Sequence, residues 1–366
     1  MHSKIRVAVL FGGRSAEHEV SLQSARNVVD AIDNEKYETV LIGIDRAGAW
    51  FLNKDSLSLL NSNDPLRITL NTGNDPVSLV PGDQTGVLVD LQGSATLPAI
   101  DVLLPVLHGP YGEDGSVQGL AKLANVACVG SDILGSAIAM DKDVSKRLLR
   151  EAGIPVARHL CLRRGGLTPA IKQTLETEFG YPLYVKPANM GSSVGVVKVL
   201  RPADLETAIE TAFQYDIKVV LEGNIVGREI ECAVLGNDKP VASTIGEIGT
   251  DDGFYSYAKK YIDADGAKLI IPASMDCATL QRVQQTAIAA FKVLESRGMA
   301  RVDMFLTAND EIYVNEINTI PGFTAISMYP KLWQASGLSY TDLIDRLIQL
   351  AIEEHSKKRQ LKTTGY

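Results

Sequence analysis

Residues 301–318, RVDMFLTANDEIYVNEIN, contain two apolar segments on either side of the dipeptide at 309–310, Asn-Asp. This dipeptide suits a two-residue turn, and the flanking segments predict the two strands of a β-hairpin. A turn at this point places Asp303 directly opposite Glu316. Opposed residues of an antiparallel pair point to the same face of a sheet. The stretch therefore predicts a hairpin that carries two neighbouring carboxylates on one face.

The same register brings Arg301 and Asn318 onto this face. Directly opposed carboxylates destabilise a sheet unless something neutralises them. A hard divalent cation does so, and Mg²⁺ prefers carboxylate and amide oxygens together with phosphates. Asp303, Glu316 and Asn318 are therefore candidate metal ligands. The alternative is a solvent-facing acidic patch that Arg301 balances.

A glycine-rich segment, GSSVG at 191–195, follows Lys186 and lies between two short strands. A P-loop would instead join a strand to a helix and read GxxxxGK[ST]. A glycine hairpin lets backbone amides and hydroxyls approach phosphate oxygens closely, and Lys186 would supply a compensating cation. The alternative is a simple tight turn.

Two acidic residues follow near strand ends, Glu222 after an apolar run and Glu229 after Gly227-Arg228. Nucleotide sites often use the backbone at a strand end for the adenine edge and a carboxylate for the ribose hydroxyls. Either acid alone is more often a surface residue. The two acids therefore indicate a nucleotide site only in combination with the glycine loop and the carboxylate face.

The N-terminal part begins with an apolar strand at 5–11, two glycines and a helix at 15–32, which is the start of an α/β unit. The first turn of this helix carries Glu17, which suits either helix capping or an ammonium ligand. His108 opens a dense loop, HGPYGEDG, at the end of another strand, where α/β sheets form clefts. GxGxxG is absent after the first strand, which argues against a dehydrogenase.

The composition is that of an ordinary globular protein of 366 residues with a net charge of −8. This charge favours neither nucleic acid nor an anionic membrane as a partner. The four cysteines form no CxxC pair, and no apolar run approaches the ~20 residues that span a bilayer. A cytoplasmic location is expected. The basic cluster at 357–359 is interpreted as a solvated tail.

Several motifs together resemble those of D-alanine–D-alanine ligases, over nearly the whole chain. They lie at 11–21, 107–115, 140–142, 186–187, 191–195, 254–261, 298–303 and 315–322. The resemblance implies an α/β protein with the ATP-grasp fold and an N-terminal doubly wound α/β domain. It also implies a division into a substrate domain at 1–139, a small ATP-grasp subdomain at 140–225, a C-terminal ATP-grasp subdomain at 226–357 and a tail at 358–366. The insertion at 47–98 matches the longer members of the family.

The implied activity is the ATP-dependent ligation of two D-alanine molecules to D-alanyl-D-alanine, through D-alanyl phosphate, for peptidoglycan precursors. The implied cofactors are ATP and two Mg²⁺ or Mn²⁺ ions, and the implied assembly is a homodimer. An acyl phosphate hydrolyses readily, so water must be excluded, and the segment at 249–266 is predicted to be a closing lid.

The resemblance also implies a role for each matched residue. The residues that would bind ATP are Lys142, Lys186, Ser193, Glu222 and Glu229. Those that would hold the metal ions are Asp303, Glu316 and Asn318. Those that would act in catalysis are Glu17, Ser192, Tyr261, Arg301 and Gly322, with Arg301 and the Gly322 amide at the oxyanion. Those that would bind D-alanine are His108, Lys260, Ser327 and Met328. Gly223 replaces a lysine that some relatives carry after Glu222, which puts a side-chain contact to adenine in doubt.

Three other functions are weighed against this one. Another ATP-grasp ligase, or a depsipeptide ligase that uses D-lactate, would share most of the site, but the Glu17 turn and Tyr261 argue against both. A nucleotide-binding sensor without turnover would not need the complete set of Asp303, Glu316 and Asn318. Phosphate release assays distinguish these functions.

Overall fold

The computed structural model describes residues 4–53, 75–82, 85–93, 96–249 and 268–362. Its α-helices are α1 (His18–Ala31), α2 (Ser116–Leu123), α3 (Ile133–Met140), α4 (Lys142–Glu151), α5 (Pro169–Thr174), α6 (Leu205–Ala212), α7 (Cys277–Val293), α8 (Met328–Ala335) and α9 (Tyr340–Arg359). Its strands are β1 (Ile5–Gly12), β2 (Tyr37–Ile44), β3 (Trp50–Asn53), β4 (Val77–Leu79), β5 (Leu88–Asp90), β6 (Thr96–Leu97), β7 (Val102–Val106), β8 (Ala127–Cys128), β9 (His159–Arg163), β10 (Leu183–Pro187), β11 (Val197–Val199), β12 (Lys218–Gly223), β13 (Arg228–Gly236), β14 (Val241–Gly249), β15 (Lys268–Ile270), β16 (Gly298–Leu306) and β17 (Ile312–Asn318). Among these described helices, none is long and apolar enough to cross a bilayer.

The first sheet has the strand order β3-β2-β1-β7-β8. Strands β2, β1, β7 and β8 run parallel, and β3 joins the edge antiparallel. Helix α1 packs on one face of this sheet and α2 on the other. Burial on both faces explains why β1 is a continuous apolar run and does not alternate with polar residues. The predicted doubly wound α/β arrangement is confirmed.

Helix α1 begins at His18, three residues later than the sequence indicated. The chain leaves β1 through Gly12 and Gly13, which have φ angles of 90° and 96°. A Cβ atom on Gly12 would lie 2.2 Å from the carbonyl oxygen of Ile44. The hydroxyl of Ser15 then accepts a hydrogen bond from the Glu17 amide at 3.0 Å, which forms a turn in place of the first helical residues. Glu17 is therefore at the N-cap of α1 and not inside the helix.

The insertion contributes a small antiparallel sheet of β4, β5 and β6. Val77, Leu79 and Leu88 from this sheet are buried against the face of the first sheet that α2 covers. Residues 54–74, 83–84 and 94–95 of the insertion lie outside the described part of the chain.

Two further sheets are antiparallel. The second has the order β11-β10-β12-β9, and α6 packs on it. The third has the order β15-β14-β13-β16-β17. Helix α7 covers one face of the third sheet, and α8 and α9 cover the other. The predicted glycine hairpin between two strands is confirmed as the β10–β11 connection.

Helix α9 contacts strands of both the first and the third sheet, and its apolar side chains belong to one core with those of β1 and α1. It continues to Arg359, so the boundary predicted at 358 falls inside a helix. Residues 357–359 of the basic cluster lie in the last turns of this helix and not after it, and Lys358 contacts Asp132 Oδ2 at 2.7 Å. The other predicted boundaries remain predictions.

Candidate active site

Strands β16 and β17 form the hairpin that the sequence predicted, with Asp303 opposite Glu316 and Arg301 opposite Asn318. The predicted two-residue turn is wrong. The Thr307 amide donates to the Glu311 carbonyl at 3.0 Å, which leaves three loop residues, and the last of them, Asp310, has a φ of 59°.

A β-bulge then restores the predicted pairing. Met304 lies opposite Val314 and Asp303 lies opposite Glu316, so Asn315 is the extra residue in β17. A bulge re-aims the side chain of the bulged strand, and such irregularities are frequent next to active sites. Asn315 accordingly lines the large cavity described below.

The carboxylate face is enclosed by protein. Asp303 is 3% exposed, so the alternative of a solvent-facing acidic patch is wrong. The Arg301 guanidinium donates to both oxygens of Asp303 at 2.7 Å and also lies 3.0 Å from Glu231 Oε2. The Asn318 amide donates to Asp303 Oδ2 at 3.0 Å. Arg301 is thereby fixed between two carboxylates, a bidentate arrangement that sets the plane of its guanidinium.

Glu316, on the same face, lies 3.4 Å from the ammonium of Lys142. Lys142 begins α4 and donates to the Met190 carbonyl at 2.6 Å, just before the glycine loop. Two opposed carboxylates and an amide oxygen are hard donors, which match the ligand preference of Mg²⁺ and Mn²⁺. The residues present therefore fit a divalent metal ion that neutralises their charge.

A cavity of about 340 Å³ opens between the second and third sheets. All of the predicted ATP-binding residues line it, as do Glu316 and the backbone of the glycine loop; they are Lys142, Lys186, Ser193, Glu222 and Glu229. Gly223 and the residues after it line the same cavity, so the backbone of this strand end faces it. The volume is within the range of sites for small ligands and cofactors.

A buried cluster at one side of this cavity includes two residues that the sequence did not single out, Lys146 and Asn315. Glu222 lies 3.2 Å from both Lys146 and Lys186. Burial alone would raise the pKa of Glu222, but the two lysines outweigh it and lower the pKa below its usual value. Burial likewise lowers the pKa of Lys146, whereas Glu222 and Glu316 raise that of Lys186 despite its burial. The cluster carries one more cation than anion, when all three groups are ionised.

Glu17 and Ser192 come together across 175 residues of sequence, and the Ser192 hydroxyl donates to Glu17 Oε1. Ser192 and Ser193 have φ angles of 50° and 60°, in the left-handed region that non-glycine residues seldom adopt. The structure thus brings together two of the residues that the resemblance assigns to catalysis. Lys260, Tyr261 and the predicted lid beyond Gly249 lie outside the described residues.

His108 is buried, and its Nδ1 lies 3.1 Å from the carbonyl oxygen of Ile320. A carbonyl only accepts, so Nδ1 carries the proton and Nε2 carries a lone pair. Burial lowers the pKa of the ring, although Glu17 opposes this effect. Nε2 has no hydrogen-bond partner among the described residues. A neutral ring of this kind can accept a hydrogen bond from an ammonium group.

Glu113 was missed by the sequence reasoning, although it stands in the loop after His108. It accepts from the Gly109 amide at 2.7 Å and from the Ile320 amide at 3.4 Å, and so joins two loops. Burial and the charge of Glu17 raise its pKa to about 8. Its position inside a dense glycine loop is the only sequence signal that could have indicated this role.

Gly322 and Ser327 are close neighbours after β17. A Cβ atom on Gly322 would lie 2.7 Å from Ser327 Oγ, and this hydroxyl accepts from the Thr324 amide at 2.9 Å. Met328 is the first residue of α8, and its side chain is buried in the core and directed against Gly246. Only the backbone of Met328, at the helix N-terminus, is thus available for a carboxylate ligand.

A cavity between two antiparallel sheets, with a glycine hairpin at one side and a carboxylate pair at the other, defines the ATP-grasp class of ligases. An N-terminal α/β sheet brings Glu17 and His108 to the same region. This additional sheet restricts the choice among ligases of this class. Residues 6–131 match the family described as D-ala D-ala ligase N-terminus, and residues 148–349 match D-ala D-ala ligase C-terminus.

Individual relatives agree over the full length. A D-alanine–D-alanine ligase of Shouchella clausii is 54% identical and covers 100% of this chain and 99% of its own. D-alanine–D-alanine ligase A of Salmonella typhimurium is 53% identical, with 99% and 100% covered. The solved D-alanine–D-alanine ligase of Coxiella burnetii has a TM-score of 0.86 at 39% identity, with 98% and 96% covered. The VanG D-Ala:D-Ser ligase of Enterococcus faecalis has a TM-score of 0.85 at 38% identity, with 95% and 100% covered. The chain belongs to the D-alanine–D-alanine ligase family.

Proposed function

We propose that this protein joins two D-alanine molecules to D-alanyl-D-alanine at the expense of ATP, in the synthesis of peptidoglycan precursors. A carboxylate does not condense with an amine in water unless it is activated. The γ-phosphoryl group of ATP activates the first D-alanine as D-alanyl phosphate. The amine of the second D-alanine attacks this carbonyl, and phosphate leaves. The observation that carries the proposal is that one cavity is lined by all five candidate ATP-binding residues and by Glu316 of the carboxylate face.

Asp303, Glu316 and Asn318 would hold two Mg²⁺ or Mn²⁺ ions at the phosphate end of the cavity. These ions, when bound, would neutralise charge on the transferred phosphoryl group. Asp303 and Glu316 support the assignment because they are directly opposed on one face of the hairpin, where one metal ion can contact both.

The role of each ATP-binding residue follows from its chemistry. Lys142 and Lys186 would neutralise the phosphates, and the loop that carries Ser193 would donate its backbone amides to them. Glu222 and Glu229 would accept hydrogen bonds from the adenine amine and the ribose hydroxyls, respectively. Lys142 and Lys186 both line the cavity, and this pair of cations supports a polyphosphate ligand.

Arg301 and the Gly322 amide would stabilise the oxyanion of the tetrahedral intermediate. Arg301 is fixed by Asp303 and Glu231, so its guanidinium needs no reorganisation when charge develops. This preorganisation favours the transition state over the ground state.

Glu17 would bind the ammonium of the first D-alanine, and His108 Nε2 could accept a second hydrogen bond from the same group. Ser327, the backbone amide of Met328 and Lys260 would bind the carboxylate of the second D-alanine. Ser192 would link Glu17 to Tyr261 in the segment that closes the site. The Ser192–Glu17 hydrogen bond supports the first half of this link.

The partners that we propose are small molecules, with D-alanine as the substrate and neither nucleic acid nor a membrane involved. The net charge of −8 agrees with this. A cytoplasmic location and a homodimeric assembly complete the proposal.

One assay tests the function directly. Phosphate release is measured with ATP and Mg²⁺ in the presence of D-alanine, L-alanine, D-lactate or D-serine, and the products are separated. We expect release with D-alanine, and D-alanyl-D-alanine as the product. Nucleotide binding without phosphate release would instead indicate a sensor, and a preferred mixed product would indicate a different acceptor.

A further inference from the structure

The carboxylate of Glu222 is held by one lysine on each oxygen. Lys146 lies 3.2 Å from Oε2, and Lys186 lies 3.2 Å from Oε1. The two lysines differ in their access to the cavity: Lys186 lines it, whereas Lys146 is enclosed, with 1% of its side chain exposed. Only Lys186 is therefore placed to meet a ligand.

Asn315 anchors both lysines, but in different ways. The Lys146 ammonium donates to the Asn315 backbone carbonyl at 3.0 Å, and the Lys186 ammonium donates to its side-chain oxygen at 3.3 Å. The carbonyl belongs to the backbone of β17 between Val314 and Glu316, which are both paired with β16, so its position is set by the strand. The Lys186 ammonium, in contrast, donates to side-chain oxygens, those of Asn315 and Glu222. Lys146 is accordingly a fixed contact, and Lys186 is a contact that can be exchanged.

We propose that Lys146 is the permanent counter-ion of Glu222, which lets Lys186 leave this carboxylate for the phosphates of the nucleotide. Lys146 is thus a positioning residue, and the assignment rests on the proposed function, in which Lys186 binds phosphate. Departure of Lys186 frees Glu222 Oε1, which can then accept from the exocyclic amine of adenine. The movement of Lys186 would thus provide a cation for the phosphates and a hydrogen-bond acceptor for adenine.

Burial is the reason why the second lysine is needed. Glu222 is 2% exposed, and a buried carboxylate that loses its only partner is strongly destabilising. If Lys146 were absent, Glu222 would therefore keep Lys186 and oppose its transfer to the phosphates. With Lys146 in place, Glu222 remains paired in both states.

Calorimetry with two probes separates this role from a purely structural one. The dissociation constants of adenosine and of a non-hydrolysable ATP analogue with Mg²⁺ are measured. The ratio of the adenosine constant to the analogue constant gives the contribution of the phosphates to binding. We expect Lys146→Met to lower this ratio at least ten-fold. A control variant, Lys358→Met, removes a paired lysine that is remote from the cavity and should leave the ratio unchanged.

The decisive comparison is the double variant Lys146→Met/Glu222→Gln. A neutral amide does not retain Lys186, so the double variant should regain the contribution of the phosphates although its affinity for adenosine falls. Should Lys146→Met not fold, Glu222→Gln alone is measured, and the ratio should rise above that of the wild type.

Specific outcomes would overturn the proposal. An equal loss of affinity for both probes in Lys146→Met, or a further loss of the phosphate contribution in the double variant, would show that Lys146 only supports the fold. An unchanged or lowered ratio in Glu222→Gln alone would also contradict the exchange. A wild-type protein that fails to bind the ATP analogue would instead count against the proposed function itself.

Discussion

At the scale of single residues, a buried carboxyl group joins the loops on both sides of the substrate region. Glu113 accepts backbone hydrogen bonds from Gly109 and from Ile320, which lies 207 residues away in sequence. Burial and the Glu17 charge raise its pKa from the usual 4.5 to about 8. The fold therefore favours the neutral acid, and this contribution to stability is complete below pH ~4.5 and is lost as the pH rises through about 8.

Glu113→Gln should remove this dependence on pH, because an amide does not ionise. The free energy of unfolding of the variant, relative to the wild type, should increase between pH 5 and 8 by up to about 1.4 kcal/mol per pH unit. Urea unfolding at several pH values measures it. Glu151→Gln, at an exposed position, is the control and should follow the wild type at every pH. A constant difference between Glu113→Gln and the wild type would show that the acid is ionised throughout.

Glu316→Gln tests the metal site at the phosphate end of the cavity. The amide keeps the shape of the side chain but removes the charge that would bind the cation, so turnover should fall more than about 100-fold while the fold is retained. Phosphate release over a range of Mg²⁺ concentrations, together with the thermal midpoint, measures both effects. Glu311→Gln, at the exposed turn of the same hairpin, should be unaffected. Near-normal turnover of Glu316→Gln at ordinary Mg²⁺ would exclude it as a ligand.

The pairing of Asp303 with Glu316 could be predicted from local sequence, because a hairpin brings together residues that are close in the chain. Its details could not, since the three-residue turn and the bulge at Asn315 shift the register in opposite directions. Lys146 and Glu113 were missed for a different reason. Lys146 pairs with Glu222, 76 residues away, and Glu113 accepts from Ile320, 207 residues away, so only the packing of separate elements shows these contacts.

At the scale of elements, the position of helix α8 is set by its contact with strand β14. Gly246 faces this helix, and a Cβ atom there would lie 2.5 Å from the sulfur of Met328 and 3.1 Å from Leu332. Ser327, a candidate ligand of the second D-alanine, occupies the N-cap position of the same helix. The close approach of strand and helix therefore positions the N-terminus of α8 relative to the site. The sequence indicated neither this contact nor the late start of α1, because both depend on glycine packing against a distant element.

Gly246→Ala should push α8 away from the sheet. Overpacking of this kind costs about 1–3 kcal/mol of stability. The displacement of Ser327 should also raise the KM for D-alanine more than the KM for ATP. Gly119→Ala in α2 is the matched control: its nearest contact would be 3.8 Å, and alanine in a helix should stabilise the protein by about 0.5–1 kcal/mol. An equal change in both KM values would show that α8 does not position the acceptor.

At the scale of the whole molecule, helix α9 connects the N-terminal sheet to the C-terminal elements. It comes last in the chain, yet its apolar residues pack in one core with β1, α1 and α8. Polar contacts strengthen this attachment: the Tyr37 hydroxyl donates to Asp345 at 2.9 Å and accepts from Gln349 at 2.9 Å. The N-terminal sheet thus has one face covered by the C-terminal helix, so two of the sequence ranges that were predicted as domains, 1–139 and 226–357, share a core.

Leu347→Ala should therefore destabilise the N-terminal sheet and the C-terminal helices together. Leu347 is completely buried in this core, and its truncation should cost about 2–5 kcal/mol. The two tryptophans of the chain report on different parts, because Trp50 lies in β3 of the first sheet and Trp333 lies in α8. Fluorescence unfolding is measured in Trp50→Phe and Trp333→Phe backgrounds, each with and without Leu347→Ala. Both reporters should shift to lower denaturant by the same amount, because loss of the shared core weakens the sheet and the helix in one transition. A shift of the Trp333 signal alone would mean that the N-terminal sheet is stable without α9, and that the parts of the chain unfold independently.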